Sequence, residues 1–571
     1  MKVQLHHVLI IFATGCIGQA TKASNETSSH LQDEWYSCPT YTPSNKTQSS
    51  DIDAECVTFA APLCYPGICE TPAHANSTID VFVKRFPATT DPEQASNVWM
   101  LPGGPGSSSI SLEPAMTMLH TSLKGAANVY TLDYRGNRRS TLLECESVPS
   151  DILGGVIEAS DLSACFQELQ LKYGDLASFS TTSAATDIST FISKYTNGAS
   201  TIVYGMSYGT IVVQRLMHLN PPYVTGYVLD GVATTSVAPA DNSYISSSDA
   251  GSGDAGKRFL DLCDQDSACN SHFQGTNLTA TLHNTILKLD SNPNSTCATL
   301  MNSTQEEPSM DLRLALGGLL HDSSVRSLIP PLIYRINRCN SNDIDVLTYF
   351  NQRLGETTDE DPADQSMWLY SLIAFSEMWE TPAPSCTELK RRFTDVSSSN
   401  GATYSLCPLY CAFSNDKSPG CDEFRLDKYD ANGVLYSHDQ YCDKVAAVPD
   451  KASVLLMSGK LDTQTHFRHA EALFEALDTS RKEHILFDYA DHGAIYSTPY
   501  EESEVTCGID LLASYVSNNG DLEHLDKSCT KKLPAFSMAL APEATTFYFS
   551  TDEPYDGFKV QGIYRIAVSP D

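Results

Sequence analysis

The chain has 571 residues, 41% of them hydrophobic, and a formal net charge of −33. That length can bury a large core and leaves room for more than one structural unit. So acidic a balance, 70 Asp and Glu against 37 Lys and Arg, excludes nucleic acid as a partner, because phosphate binding needs clustered cations.

Lys2 precedes an apolar run, Val8 to Phe12, and then small residues through Gly18-Gln19-Ala20. This is a signal peptide in shape over residues 1–20, too short to cross a bilayer, and no later stretch reads as a membrane span. Sequons at Asn25, Asn45, Asn76, Asn277, Asn294 and Asn302 fit a glycosylated protein that is secreted or delivered to a lysosome or vacuole. Of the 18 cysteines, Cys16 leaves with the signal. The odd remainder lacks paired zinc spacing, so it reads as a disulfide framework with at least one free or intermolecular thiol. Sequence-near partners would be Cys38 with Cys56, Cys145 with Cys165, and Cys507 with Cys529. No metal or cofactor is expected, and the oligomeric state is open.

Residues 24–75, rich in Ser, Thr, Pro and Cys, read as an irregular stapled arm. Ile79 to Arg85 alternates in polarity like a half-buried strand, and Asn97 to Leu101 and Val129 to Leu132 are further strands. Residues 184–195 are an amphipathic helix. It leads into the β-branched run Thr201 to Tyr204, and Tyr227 to Leu229 is the next strand. From about 235 to 447 the rhythm changes to helical patches at 310–320, 325–338, 343–354 and 365–380. It then resumes with a strand (Ala452 to Met457), a helix (His466 to Leu477), a strand (His484 to Tyr489) and a helix (Gly508 to Val516). Strands alternating with helices predict an α/β domain with a mostly parallel sheet. The expected organisation is a core over 21–234 and 448–532, a helical cap inserted at 235–447, and a tail at 533–571 with strand-like segments Thr545 to Phe549 and Ile563 to Val568.

The stretch Gly205-Met206-Ser207-Tyr208-Gly209 sits between the Thr201 strand and a helix that Asn220-Pro221 stops. Strand, G-x-S-x-G and helix together predict a nucleophile elbow, with Ser207 on a strained turn at a helix N-terminus. A serine nucleophile needs a histidine base, and the base needs a carboxylate to fix its tautomer. In elbow architectures these follow in the order Ser, Asp, His, each just past a strand. Asp462, in Gly459-Lys460-Leu461-Asp462, and His492, in Asp491-His492-Gly493, meet that demand. Asp488 and Asp491 are rival acids, less suitably placed beside His492. A tetrahedral oxyanion needs two backbone donors. Tyr208 would supply one, and the Pro102-Gly103-Gly104-Pro105-Gly106 loop the other, through Gly104 or Gly103.

These motifs, with Asp133-Tyr134-Arg135-Gly136 and Thr181-Thr182-Ser183-Ala184-Ala185-Thr186-Asp187, resemble the secreted branch of the prolyl and tripeptidyl aminopeptidase family of α/β-hydrolases. The resemblance covers roughly 35–235 and 445–530. Arg138 stands where the family often has a second glycine, and Thr463-Gln464-Thr465-His466 follows Asp462 where the family usually reads x-x-Thr-Pro. The resemblance implies a serine exopeptidase that takes peptide substrates from their N-termini under a helical cap. A serine carboxypeptidase is the nearest alternative, but Pro102 and Met206 replace the Asn and Glu with which those enzymes hold a C-terminal carboxylate. An esterase or lipase uses the same triad, and a catalytically silent hydrolase-fold binding protein is the reading from another class. In prolyl aminopeptidase relatives acidic cap residues hold the substrate ammonium. Here Glu377 and Glu380, three apart on a predicted helix beside Phe375 and Trp379, would take that role.

Overall fold

The computed structural model describes residues 34–42, 52–146, 159–301, 306–356, 365–418, 420–421, 433–500 and 503–560. The signal-peptide reading, the sequons at Asn25, Asn45 and Asn302, and the expected strand at Ile563 to Val568 lie outside them.

Nine strands form one sheet: β1 (Tyr36–Cys38), β2 (Ala54–Pro62), β3 (Thr78–Phe86), β4 (Ser96–Leu101), β5 (Ala127–Leu132), β6 (Thr201–Met206), β7 (Val224–Asp230), β8 (Ser453–Gly459) and β9 (Lys482–Phe487). Their spatial order is β1-β2-β3-β5-β4-β6-β7-β8-β9. Pairing is antiparallel from β1 to the β3–β5 contact and parallel from β5 across to β9. The inner parallel strands, β4 to β8, are buried on both faces, as crossovers require, whereas the edge strand β9 is only partly buried. In β6 and β7, Val203, Tyr227 and Leu229 face one core, whereas Ile202, Tyr204 and Val228 face the other.

Helices α2 (Ala159–Tyr173), α3 (Thr181–Tyr195) and α4 (Tyr208–Leu219) contribute to the first core. The second is covered by α1 (Glu113–Ser122) and, from the C-terminal part of the chain, by α17 (Cys507–Ser517). A buried hub ties the first layer together. Arg135 grips both carboxylate oxygens of Asp187 on α3 and donates to the carbonyls of Leu63 and Ser178. Tyr134 donates to the carbonyl of Pro102 at 3.1 Å, so the Asp133–Gly136 loop supports the glycine loop beside it.

Between β7 and β8 the chain forms α5 (Ser248–Leu262), α6 (Ser267–Asn270), α7 (Leu278–Ser291), α8 (Thr296–Met301), α9 (Pro308–Leu320), α10 (Ile329–Arg338), α11 (Ser341–Glu356), α12 (Met367–Glu377), α13 (Cys386–Asp395) and α14 (Cys407–Ser414). Helices α7 to α11 enclose a core of their own, including Leu282, Leu316, Ile333 and Phe350. By contrast α12 and α14 join the sheet's core through Trp368, Leu372 and Phe413. After β8 come α15 (Phe467–Ala476), β9, α16 (Ala494–Ser497), α17 and α18 (Pro542–Phe549). A mostly parallel sheet with this strand order, whose winding direction switches at β4, and with helices on both faces is the α/β-hydrolase fold.

Two expectations are corrected. The stretch read as an irregular arm contains β1 and β2, bridged by Cys38–Cys56. Val57, Phe59 and Ala61 of β2 enter the core, a signal that the surrounding Ser, Thr and Pro obscured. Thr545 to Phe549, read as a strand, is the end of α18. Pro542 opens that helix, and Thr545 and Phe549 share its buried face, Phe549 stacking on Phe350 at 5.0 Å. Burial has overridden a β-branched and aromatic composition.

The structure pairs Cys38–Cys56, Cys145–Cys165 and Cys507–Cys529, as sequence proximity indicated. It adds Cys64–Cys69, Cys263–Cys269, Cys297–Cys339, Cys386–Cys407 and Cys411–Cys421. Cys442 is free and buried. So many bridges fit an oxidising compartment. Among the described residues no helix is long and apolar enough to cross a membrane.

Candidate active site

Ser207 lies between the end of β6 and the start of α4 with φ 57° and ψ −127°. This is a strained backbone for a residue with a Cβ, of the kind held in place only by its surroundings. The flanking glycines explain how. A Cβ on Gly205 would lie 2.4 Å from the carbonyl oxygen of Gly209, and one on Gly209 would lie 2.6 Å from that of Leu101. Strand, helix and the neighbouring strand β4 therefore pack backbone to backbone around the turn. Tyr208 opens α4, where the first turn of a helix leaves its N–H groups unbonded.

The order in which strands are added reverses at β4, which pairs in parallel with β5 on one side and β6 on the other. A crevice opens at such a switch point, and it brings the loop after β4 against the elbow after β6. A Cβ on Gly103 would sit 2.8 Å from Ser207 Cβ and 3.4 Å from Ser207 Oγ. Gly104 has φ +106°, and a Cβ there would collide with the backbone nitrogens of Gly106 and Ser107 at 2.7 Å. Ser207, Tyr208, Gly103 and Gly104 thus meet in one place.

Asp462 follows β8 and His492 follows β9. His492 Nδ1 is 2.9 Å from Asp462 Oδ2, and both side chains are buried. Oδ1 of Asp462 accepts the N–H groups of Gln464 and Thr465, each at 2.8 Å. Thr465 Oγ1 donates to Oδ2 at 2.9 Å and lies 3.1 Å from His492 Nδ1. Nε2, the other nitrogen, is buried with no hydrogen-bond partner among the described residues. A Cβ on Gly493 would lie 2.9 Å from Met206 Sδ, so the histidine loop packs against the residue preceding Ser207.

The electrostatics favour a histidine that can carry a proton. Burial works to lower the pKa of His492, but the charge and hydrogen bond of Asp462, with Asp230 and Asp491 behind them, hold it above its ordinary value. Asp462 is held below the usual carboxylate range. Its burial is more than offset by His492 and by the Thr465 and Gln464 N–H groups. The rival acids are occupied elsewhere: Asp488 pairs with Lys460 at 2.6 Å and Asp491 accepts from the Ser323 N–H at 2.6 Å.

Glu377 and Glu380 are not arranged as expected. Helix α12 ends at Glu377 because Met378 leaves helical geometry ahead of Pro382, so Glu380 lies beyond it. Glu377 is buried, paired with Arg215 at 3.3 Å and accepting from Tyr436 Oη at 2.6 Å and the Thr181 N–H at 3.1 Å. Glu380 pairs with Arg392 and accepts from Ser246. Trp379 does wall a cleft of about 530 Å³ with Glu377, Tyr244, Tyr436, His438 and Asp443, but Phe375 does not line it.

Sequence reasoning missed Thr465 and His321. His321, from the end of α9, contacts Thr463 Oγ1 at 2.8 Å and is pushed down to about 4 by burial and by the nearby His492. Thr465 had a signal, as a hydroxyl three residues after the acid; His321 had none. One group among the described residues could hold a metal: His438, Cys442 and Asp443, with ligand atoms within 4.8 Å of one another. The guanidinium of Arg215 faces the Cys442 sulfur, so these residues are read as a buried thiol beside a surface ion pair.

No protein-family model and no characterised protein matches the chain. Among solved structures it is similar to α/β hydrolase domain-containing protein 10 from mouse, at 10% identity over 79% of this chain and 96% of that one, with a TM-score of 0.28. An esterase from Exiguobacterium antarcticum is 14% identical over 79% and 100%, and the esterase RhEst1 from Rhodococcus sp. 12% identical over 80% and 100%, both at a TM-score of 0.30. Scores this low add nothing to the strand order and the elbow, on which the fold rests.

Proposed function

We propose that the protein is a secreted serine hydrolase working by acyl transfer, with Ser207 as nucleophile, His492 as general base and Asp462 as its orienting acid. One observation carries the reading: Ser207 is held at positive φ on a turn whose preceding residue, Met206, packs against the loop of His492, whose Nδ1 is bonded to a buried carboxylate and whose Nε2 has no partner among the described residues. In the proposed reaction Ser207 Oγ attacks a substrate carbonyl carbon as its proton passes to Nε2. The N–H groups of Tyr208 and of Gly104 or Gly103 stabilise the oxyanion. The C–N or C–O bond then breaks as Nε2 returns the proton to the leaving group. Water repeats the sequence on the acyl enzyme and frees Ser207.

The finer reading is release of single residues or tripeptides from peptide N-termini, with the helices between β7 and β8 as a cap. It is supported by the order of the motifs and by a cleft that sets the Glu377 and Asp443 carboxylates beside aromatic walls. One observation favours ester hydrolysis instead: Arg215 already matches the charge of Glu377, which leaves less for a substrate ammonium.

Treatment with a fluorophosphonate followed by peptide mapping tests the chemistry. Labelling of Ser207 that disappears in Ser207→Ala supports it, and an unlabelled wild-type protein refutes it. A panel of free-amine, N-blocked and free-carboxylate peptides against p-nitrophenyl esters then separates the substrates. Preference for free-amine peptides supports the exopeptidase, and turnover of esters alone overturns it.

A further inference from the structure

Asp230, the last residue of β7, is fully buried and has no part in the triad just described. Its main-chain carbonyl accepts the N–H of Ser207 at 2.9 Å. Its carboxylate accepts the N–H of Ala494 at 2.7 Å and that of Ile495 at 3.1 Å, two and three residues beyond His492. Tyr204, two residues before Met206 on β6, donates its hydroxyl to the same carboxylate at 2.9 Å. The next residue, Gly231, has φ +59°, and a Cβ there would lie 2.9 Å from His492 Cε1. One residue therefore touches the backbone of the nucleophile, the backbone of the base loop and, through its neighbour, the imidazole ring.

We propose that Asp230 is a positioning residue for the acyl-transfer reaction: it fixes the His492 loop in register with the Ser207 elbow and places a negative charge behind the imidazole. The proposal rests on Ser207 and His492 being nucleophile and base.

A buried carboxylate is expensive to maintain and is retained only where its acceptors are used. Here three donors converge on it, with the two peptide groups on separate oxygens, Ala494 on Oδ1 and Ile495 on Oδ2. An asparagine has one acceptor oxygen, and its amide would turn a donor toward one of those N–H groups. The base loop would then lose an anchor while the strand beneath it stayed intact. Such a shift at the reacting atoms is costly, because displacement by about 1 Å lowers a rate by about 10²-fold.

The charge acts on the imidazole as well. The groups facing His492 are Asp462, Asp230, the adjacent Asp491 and, from α9, His321. Around Asp230 are Tyr204, Tyr496 and His492. Burial raises Asp230 to about 6, with the Ala494 and Ile495 N–H groups, Tyr204 and His492 working against it. In its ionised form it favours the imidazolium that forms as Ser207 attacks.

The test measures p-nitrophenyl ester hydrolysis by the full chain, per active site titrated with fluorophosphonate, across pH. Asp230→Asn should lower kcat by about 10- to 100-fold with KM within about twofold. Loss of the negative neighbour should also move the acid limb of kcat/KM to lower pH by about half a unit. A merely structural residue would reduce the titratable fraction and leave the limb where it was. Values of kcat per site within twofold of wild type, with an unmoved limb, would overturn the proposal. Should Asp230→Asn fail to fold, Tyr204→Phe decides. Removing that donor raises the carboxylate's pKa and so weakens the negative charge behind the imidazole, so the acid limb should again move to lower pH, and an unmoved limb overturns the idea. A wild-type protein that takes no label at Ser207 overturns this proposal together with the reading beneath it, whereas a labelled wild type with an unaffected variant overturns this one alone.

Discussion

Gly103 and Ser207 are so close that a methyl group on the first would lie 2.8 Å from Cβ of the second, and 3.2 Å from the carbonyl of Met206. The atoms it would meet are backbone or a side-chain root, which cannot swing away. Gly103→Ala must therefore push the glycine loop off the nucleophile. We expect kcat to fall about 10²- to 10³-fold, the loss typical of a missing oxyanion donor, with little change in thermal stability. Active-site titration with kcat on a p-nitrophenyl ester checks this. Activity within twofold of wild type would remove the loop from the reaction.

The acid limb of activity follows from His492. In the proposed reaction its neutral form takes the serine proton, and Asp462 holds its pKa above the ordinary value. The half-maximal pH of kcat/KM should then lie above about 6.5, with activity falling as pH falls. In Asp462→Asn burial acts without the opposing charge, so the limb should move to lower pH while the plateau drops about 10⁴-fold. Stability has its own sign. The folded-state pKa of Asp462 is depressed, so its contribution is full above the unfolded value of about 3.9 and is lost as pH falls through the folded one. A pH–rate profile alongside acid unfolding of wild type and variant measures both. A limb that stays fixed in Asp462→Asn would break the pairing of the two residues.

Among the described residues eight bridges form and Cys442 is the thiol left over. Burial, and next the charge of Glu377, push its pKa up to about 12, so it is neither exposed nor ionised at neutral pH and should resist alkylation. Iodoacetamide on the native protein should leave the mass unchanged, and the same reagent in denaturant without reductant should modify Cys442 alone. Modification of paired cysteines in denaturant would contradict the bridge assignment.

The elbow was legible because its chemistry is local. Two glycines around Ser207, a β-branched run before them and a helical pattern after them all describe one turn, and the fold satisfies each. Asp462 and His492 could be named because an α/β rhythm sets them just past consecutive strands. Asp230 was as well placed, ending β7 ahead of Gly231, but its partners Ala494 and Ile495 are remote in sequence, and an acid before a glycine reads as a turn. The glutamates are the reverse case. Their spacing on a predicted helix was visible, but Arg215 and Arg392, which occupy them, come from other elements. The strand β2 was hidden by the composition around it, and α18 by residues that favour strands when burial does not decide.

The pairing of Glu377 decides between two roles for it. Arg215 and Glu377 are both almost wholly buried, and Tyr436 and the Thr181 N–H complete the carboxylate's shell. Removing one charge of a buried pair leaves the other uncompensated, which costs about 3–5 kcal/mol. Arg215 has a second, looser neighbour in Asp439, at 3.9 Å, so the lower end of that range is expected for Glu377→Gln. A structural glutamate would show this as a fall in the thermal midpoint, with equal losses on a free-amine peptide and on a small ester per titrated site. A glutamate that reads the substrate ammonium would raise KM for the peptide and spare the ester. We expect the first pattern, because a carboxylate held by three donors has little left to offer a ligand. A selective peptide KM effect at unchanged stability would restore Glu377 to the substrate site.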